Sequence, residues 1–155
     1  MAHGQLEFGW EPLVDVLEEL LPLAKRHAQE LGEGDLDPNW PWFFAQARAG
    51  VLRIFTARRD KTLVGYISFL VSANPWRQTM LMAVAEGFWL SPVERFGWNG
   101  VALFKNCEQG LKKAGVSRVS FSPIVDFCND KGHTADLIFE RLGYVKTEHR
   151  WSKWL

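Results

Sequence analysis

The chain has 155 residues, and its 18 Lys plus Arg balance 18 Asp plus Glu, so no overall charge draws it to nucleic acid or to a membrane surface. That length fits a single domain, residues 1–155, with a real core, and two cysteines, Cys107 and Cys128, are too few for a disulfide scaffold and lack metal-ligand company at zinc spacing. The first residues, Met1 to Glu7, have no signal-peptide layout and no charge-free run reaches membrane-spanning length, so a cytoplasmic, reducing setting is expected.

Gln5 to Gly9 reads as a short first strand. Glu11 to Leu31 reads as a helix, with an apolar stripe through Leu13, Val16, Leu17, Leu20, Leu21, Ala24, Ala28 and Leu31. Pro22 inside it should kink or split it, and Gly32-Glu-Gly34 closes it. Asp37-Pro38 then looks like a cap followed by a first-turn proline. Trp40, Trp42, Phe43 and Phe44 crowd the next segment. They either pack beneath a short helix or form the aromatic wall of a substrate groove. The second reading is preferred, because four large rings in five residues exceed what a short helix buries. Eight Trp and eleven Phe in so small a chain point the same way: some must line a groove or an interface.

Val51 to Ala57 and Thr62 to Ser72 are rich in β-branched and aromatic residues and read as strands joined by the polar turn Arg58-Arg-Asp-Lys61. The basic residues of that turn are expected on solvated surface. Ser72 to Gln78 is the next connection, with Trp76 exposed or hooked over a groove. The run Thr79 to Pro92 contains one ionisable side chain, Glu86, and so resembles a strand covered on both faces. A carboxylate there must be neutralised, paired or open to a cleft, and Gly87 beside it suggests a bulge. Glu86 is therefore a site candidate, with a buried pairing to an arginine as the alternative. Past a glycine-bearing turn, Gly100, Phe104, Cys107, Leu111 and Ala114 repeat at helical spacing. Strand, glycine turn and helix together present free backbone N–H groups to a phosphate.

Gly115 stops that helix. Val116 to Ser122 reads as a strand, Pro123 to Gly132 as a loop, and His133 or Thr134 to Leu142 as a helix ended by Gly143. Tyr144 to Leu155 reads as a last strand or strand pair, which either completes its own sheet or pairs across a dimer through Trp151 to Trp154. Monomer and homodimer both stand open. The order implies an α/β fold, mostly antiparallel in its first half and with crossover helices in its second.

In that order of elements, and in two motifs, the chain resembles the GNAT acyltransferase superfamily, and most closely small single-domain members found in phages and prophages. One motif is Glu86-Gly-Phe-Trp-Leu-Ser-Pro-Val-Glu-Arg95 running on to Gly100-Val-Ala-Leu-Phe104; the other is Ala135-Asp-Leu-Ile-Phe-Glu-Arg-Leu-Gly-Tyr144. The resemblance implies a mixed sheet with a splayed pair of parallel strands and flanking helices. It also implies acetyl-CoA as acetyl donor. The pantetheine arm would lie along Phe88, Trp89 and Leu90, and the turn Arg95, Phe96, Gly97, Trp98, Asn99, Gly100, Val101, Ala102 would wrap the pyrophosphate.

Two departures from the family pattern stand out. Aligned without gaps to Q/R-x-x-G-x-G/A, Arg95 takes the first position and Gly100 the last, but Trp98 replaces a glycine. Shifting the frame puts Gly100 and Ala102 on the small positions, and Gly97 then replaces the Gln or Arg. In the late helix Phe139 stands where relatives carry the Tyr that protonates the departing thiolate, and Gly132 stands where an Asn is common. The implied activity is transfer of acetyl to a primary amine by direct attack in a ternary complex, with Glu86 taking the proton and its pKa raised by the apolar strand. Trp40, Trp42, Phe43 and Trp76 would face the acceptor, which is a small molecule, a protein, or an aminated nucleotide or DNA base. The alternative is a GNAT-shaped binding module without catalysis.

Overall fold

The computed structural model describes residues 4–122, 131–132, 134–148 and 152–155. The chain separates into two compact units, Met1–Ser122 and Pro123–Leu155.

The first unit holds a five-stranded sheet in sequence order: β1 (Glu7–Glu11), β2 (Leu52–Arg59), β3 (Thr62–Asn74), β4 (Arg77–Leu90) and β5 (Val116–Ser120). The first four strands pair antiparallel, and β4 pairs parallel to β5. Three helices accompany them: α1 (Leu13–Glu30), α2 (Trp40–Arg48) and α3 (Asn99–Lys113), with α3 as the crossover from β4 to β5. Alternation along the strands sorts the core. Leu52, Ile54 and Tyr66 bury with Leu13, Val16, Leu20 and Leu23 of α1. Phe55, Ile67, Phe69 and Ala83 bury with Leu103, Phe104, Cys107 and Leu111 of α3. Cys107, as expected, is a core residue, and burial pushes its thiol up to about 12.

Several boundaries differ from expectation. Pro22 does not divide α1. Both Pro22 and Glu18 lie on the exposed face, so the carbonyl that Pro22 leaves without a donor meets water instead of the core. The cap of α2 is Asn39, whose side chain accepts from the Trp42 N–H at 3.2 Å, with Pro41 in the first turn. The signal was of the right kind but sat two residues downstream of Asp37. The connection assigned to Ser72 to Gln78 is mostly strand, because β3 and β4 extend each other to Asn74 and Arg77.

Arg58 and Arg59 are not solvated surface. The β2–β3 loop is only Asp60-Lys61, both at positive φ, as a two-residue hairpin of the I′ kind requires. Arg58 is thereby drawn onto Glu11 and Glu19, each at 2.9 Å, while Glu11 also accepts from the Thr56 hydroxyl. Arg59 pairs with the buried Glu94 at 2.6 Å and donates to the Gly4 carbonyl.

The second unit contains α4 (Ala135–Arg141), in which Phe139 is buried with its ring 5.1 Å from that of Tyr144. Gly143, at φ +84°, ends it as expected. The described residues of the expected closing strand, 144–148 and 152–155, are not in a strand. Trp151, Cys128, His133 and nearly all of the expected 123–132 loop lie outside the described residues. Among the described residues no helix is long and apolar enough to cross a membrane, and no group of three or more His, Cys, Asp or Glu gathers to hold a metal.

Gly65 of β3 faces Leu90 of β4 so closely that an added Cβ would stand 2.7 Å from Leu90 Cδ1 and 3.0 Å from the Trp89 carbonyl oxygen. Gly65→Ala is expected to lower stability by about 1–3 kcal/mol through overpacking, read as a lower urea midpoint.

Candidate active site

β4 pairs with β5 only from Leu81 to Val84, where β5 ends at Ser120. β4 runs on to Leu90 with β3 on one side and no strand on the other among the described residues. The parallel pair therefore parts. Beyond the parting, the ring of Phe121 meets Phe69, Phe88 and Phe104 at 5.7, 5.9 and 5.2 Å, an aromatic cluster beneath α3.

The bulge falls where the strands part. Ser68 pairs with Gly87 and Phe69 with Ala85, so Glu86 has no partner on β3. The extra residue turns Glu86 and Gly87 toward the side of α1 and α2, where both line a cavity of about 510 Å³. Glu86 is solvent-exposed, so the enclosing apolar environment expected of it is absent; of the outcomes weighed, the open cleft is the one found. The Gly87 backbone has no positive φ, and a Cβ there would approach nothing closer than 3.6 Å.

The wall opposite is α2. No residue of this helix is buried. Trp40 and Trp42 each lie near the ring of Phe43, at 5.9 and 5.2 Å, and all three line the cavity. Phe44 turns instead to a larger groove of about 990 Å³ with Trp10, Val14 and Arg48. None of that groove's lining residues belongs to β4, although it shares Leu13, Leu52 and Ile54 with the cavity. Trp76 does not join the cavity. It sits at the β3–β4 hairpin tip, 94% exposed, because the two strands carry it beyond every helix.

His27 and Tyr66, which the sequence did not single out, also line the cavity, with His27 Nδ1 2.8 Å from the Tyr66 hydroxyl. A histidine on a helix opposite a strand tyrosine leaves no local sequence signal. Burial holds the imidazole below its ordinary 6.5, and burial holds the phenol above its own range.

The turn after β4 begins with a 3-10 segment, Pro92–Glu94. Gly97 takes φ +56°, while Trp98 has φ −103°, so the left-handed residue of this turn is Gly97 and the tryptophan position does not need glycine. The Trp98 indole is 72% exposed and stands outward. The amides of Gly100 and Val101 have no acceptor among the described residues, as the first turn of a helix dictates. Asn99 ties the turn down by donating to the Glu94 carbonyl at 3.0 Å. The Arg95 guanidinium is turned back: it donates to the Leu90 carbonyl at 2.6 Å, pairs with Glu30 at 2.8 Å and lies over the Trp89 ring. The Trp89 indole is buried and also donates to Glu30, at 3.0 Å. Phe139 belongs to the second unit.

With this geometry in view, solved structures supply the comparison. A ribosomal-protein-alanine N-acetyltransferase from Brucella melitensis biovar Abortus 2308 matches with a TM-score of 0.66 at 20% identity, over 99% of this chain and 98% of its own. An aminoglycoside acetyltransferase from an uncultured soil metagenomic sample, solved with trehalose, matches at 0.70 and 13% identity, over 97% and 94%. A protein described as a predicted acetyltransferase, from Clostridium acetobutylicum and solved with acetyl-CoA, matches at 0.67 and 12%, over 97% and 96%. The fold is the GNAT acetyltransferase fold. No protein-family model and no curated protein matches the chain.

A depressed histidine pKa makes a prediction about acid. Below pH 6.5 the unfolded chain takes up a proton at His27 that the folded chain refuses, so stability present above that pH is lost as pH falls. His27→Gln should flatten that part of the profile, measured as urea midpoints from about pH 5 to 8.

Proposed function

We propose that the chain is an acetyl-CoA-dependent N-acetyltransferase that acts on a primary amine by direct attack in a ternary complex. The observation that carries this reading is the coincidence, within β4, of the parted parallel strands and a bulged carboxylate facing an aromatic cavity.

On this reading the pantetheine arm lies along the edge of β4 from Ala85 to Leu90 that no described strand covers, in the region of Phe88, Trp89 and Leu90. The free amides of the α3 first turn, between Gly97 and Ala102, meet the diphosphate, where the helix dipole favours negative charge. Trp98 at a glycine position is compatible with this, since its side chain stands clear of those amides. Arg95 contributes by bracing the turn against Glu30 instead of pointing freely at phosphate.

Glu86, directly or through a water, takes the proton that an ammonium must lose before it can attack. The amine nitrogen then bonds to the carbonyl carbon, and a backbone N–H near Phe88–Leu90 steadies the charge growing on the carbonyl oxygen. The carbon–sulfur bond breaks and CoA leaves as thiolate. Phe139 has no proton to give, so water protonates that good leaving group.

Calorimetry with acetyl-CoA tests donor binding. Absence of heat, and of any thermal shift at millimolar ligand, would favour the binding-module alternative, a reading motivated by Trp98 and Phe139. Glu86→Gln should retain acetyl-CoA affinity and melting temperature while kcat falls by about 10²–10⁴-fold; unchanged kcat would remove Glu86 from the mechanism.

A further inference from the structure

The cavity beneath the bulge has a chemical character of its own. Its polar lining includes three carboxylates, Glu33, Asp37 and Glu86, and no lysine or arginine. Its one histidine, His27, is held toward the neutral form by burial and bonded to Tyr66. Its wall is the ring triplet Trp40, Trp42 and Phe43, and α2, which carries those rings, buries none of its residues. Large rings that a helix leaves out of the core, facing a cavity, are surface left for a ligand. The volume, about 510 Å³, lies within the range of roughly 300–1,000 Å³ typical of small-molecule sites.

We infer that the acceptor is a small cationic amine with an apolar, ring-sized body. The inference rests on the acetyltransferase reading and deepens it. The rings receive the body, and aromatic faces attract an ammonium as well as hydrocarbon. The carboxylates at the rim draw the cation in, and Glu86 meets it at the end where β4 and β5 part. The same charge pattern disfavours a nucleotide or a DNA base, whose phosphates would face three carboxylates without a counter-ion. An amine that itself carries a carboxylate is disfavoured for the same reason.

The test compares phenethylamine, ethylamine and glutamate as acceptors with acetyl-CoA and the full chain. Phenethylamine should exceed each of the others in kcat/KM by about tenfold or more, and Trp42→Ala should lower kcat/KM for phenethylamine by about tenfold more than for ethylamine. Glu33→Gln should raise KM for both cations and should not raise it for glutamate. Equal or better turnover of ethylamine or glutamate overturns the inference. Calorimetry with phenethylamine alone separates the two claims. If no amine is acetylated but phenethylamine binds, and Trp42→Ala weakens it about tenfold, the cavity's preference stands and the catalytic reading fails. If no amine is acetylated and phenethylamine does not bind either, the inference falls as well.

Discussion

The arrangement depends on a mismatch in strand length. β5 ends at Ser120 while its parallel neighbour continues to Leu90, so one edge of β4 emerges from the sheet with its hydrogen-bonding groups unsatisfied by any strand among the described residues. A strand edge that no neighbouring strand covers can take a partner. The bulge at Glu86 sits at that emergence, and the α3 amides open shortly after it. Edge, acid and helix start thus follow in one continuous stretch, which is why a single strand can organise both halves of a site.

Glu30 links the two sides of this stretch. It lies at the end of α1 and receives both the Trp89 indole and the Arg95 guanidinium. Side chains immediately after the bulge are thereby fixed to the helix that carries His27 into the cavity. The Arg59–Glu94 pair does similar work from the hairpin side, holding the 3-10 segment against β2. Buried ion pairs are weak evidence of net stability, but removing one partner strands the other, so such pairs fix geometry firmly.

The sequence disclosed the elements that repeat apolar residues at a fixed period. It also disclosed the antiparallel-then-crossover order, and Gly115 and Gly143 as stops. The charge-poor run around Glu86 correctly suggested a bulge, because an acid and a glycine have no ordinary place together in a covered strand. What remained hidden was long-range. Nothing local told that Arg58 and Arg59 would fold onto Glu11, Glu19 and Glu94, far away in the chain, so they resembled free surface. The pairing of His27 with Tyr66 was invisible for the same reason. Glu86 misled in one respect: the composition of its strand implied enclosure, whereas the bulge turns its side chain into a cavity open to solvent. Trp76 looked like a groove residue because connections often line sites, but here the strands lengthen past it and strand it at a tip.

α2 places no residue fully in the core, so its rings are held at the surface of the fold and not within it. Of its rings Trp42, 39% exposed, is the one whose replacement would cost the scaffold least, while Trp40 and Phe43 are half-buried against their neighbours. On the proposed reading, donor and acceptor would be held by segments that differ in how deeply they enter the fold: β4 inside the sheet, and α2 with no residue fully buried.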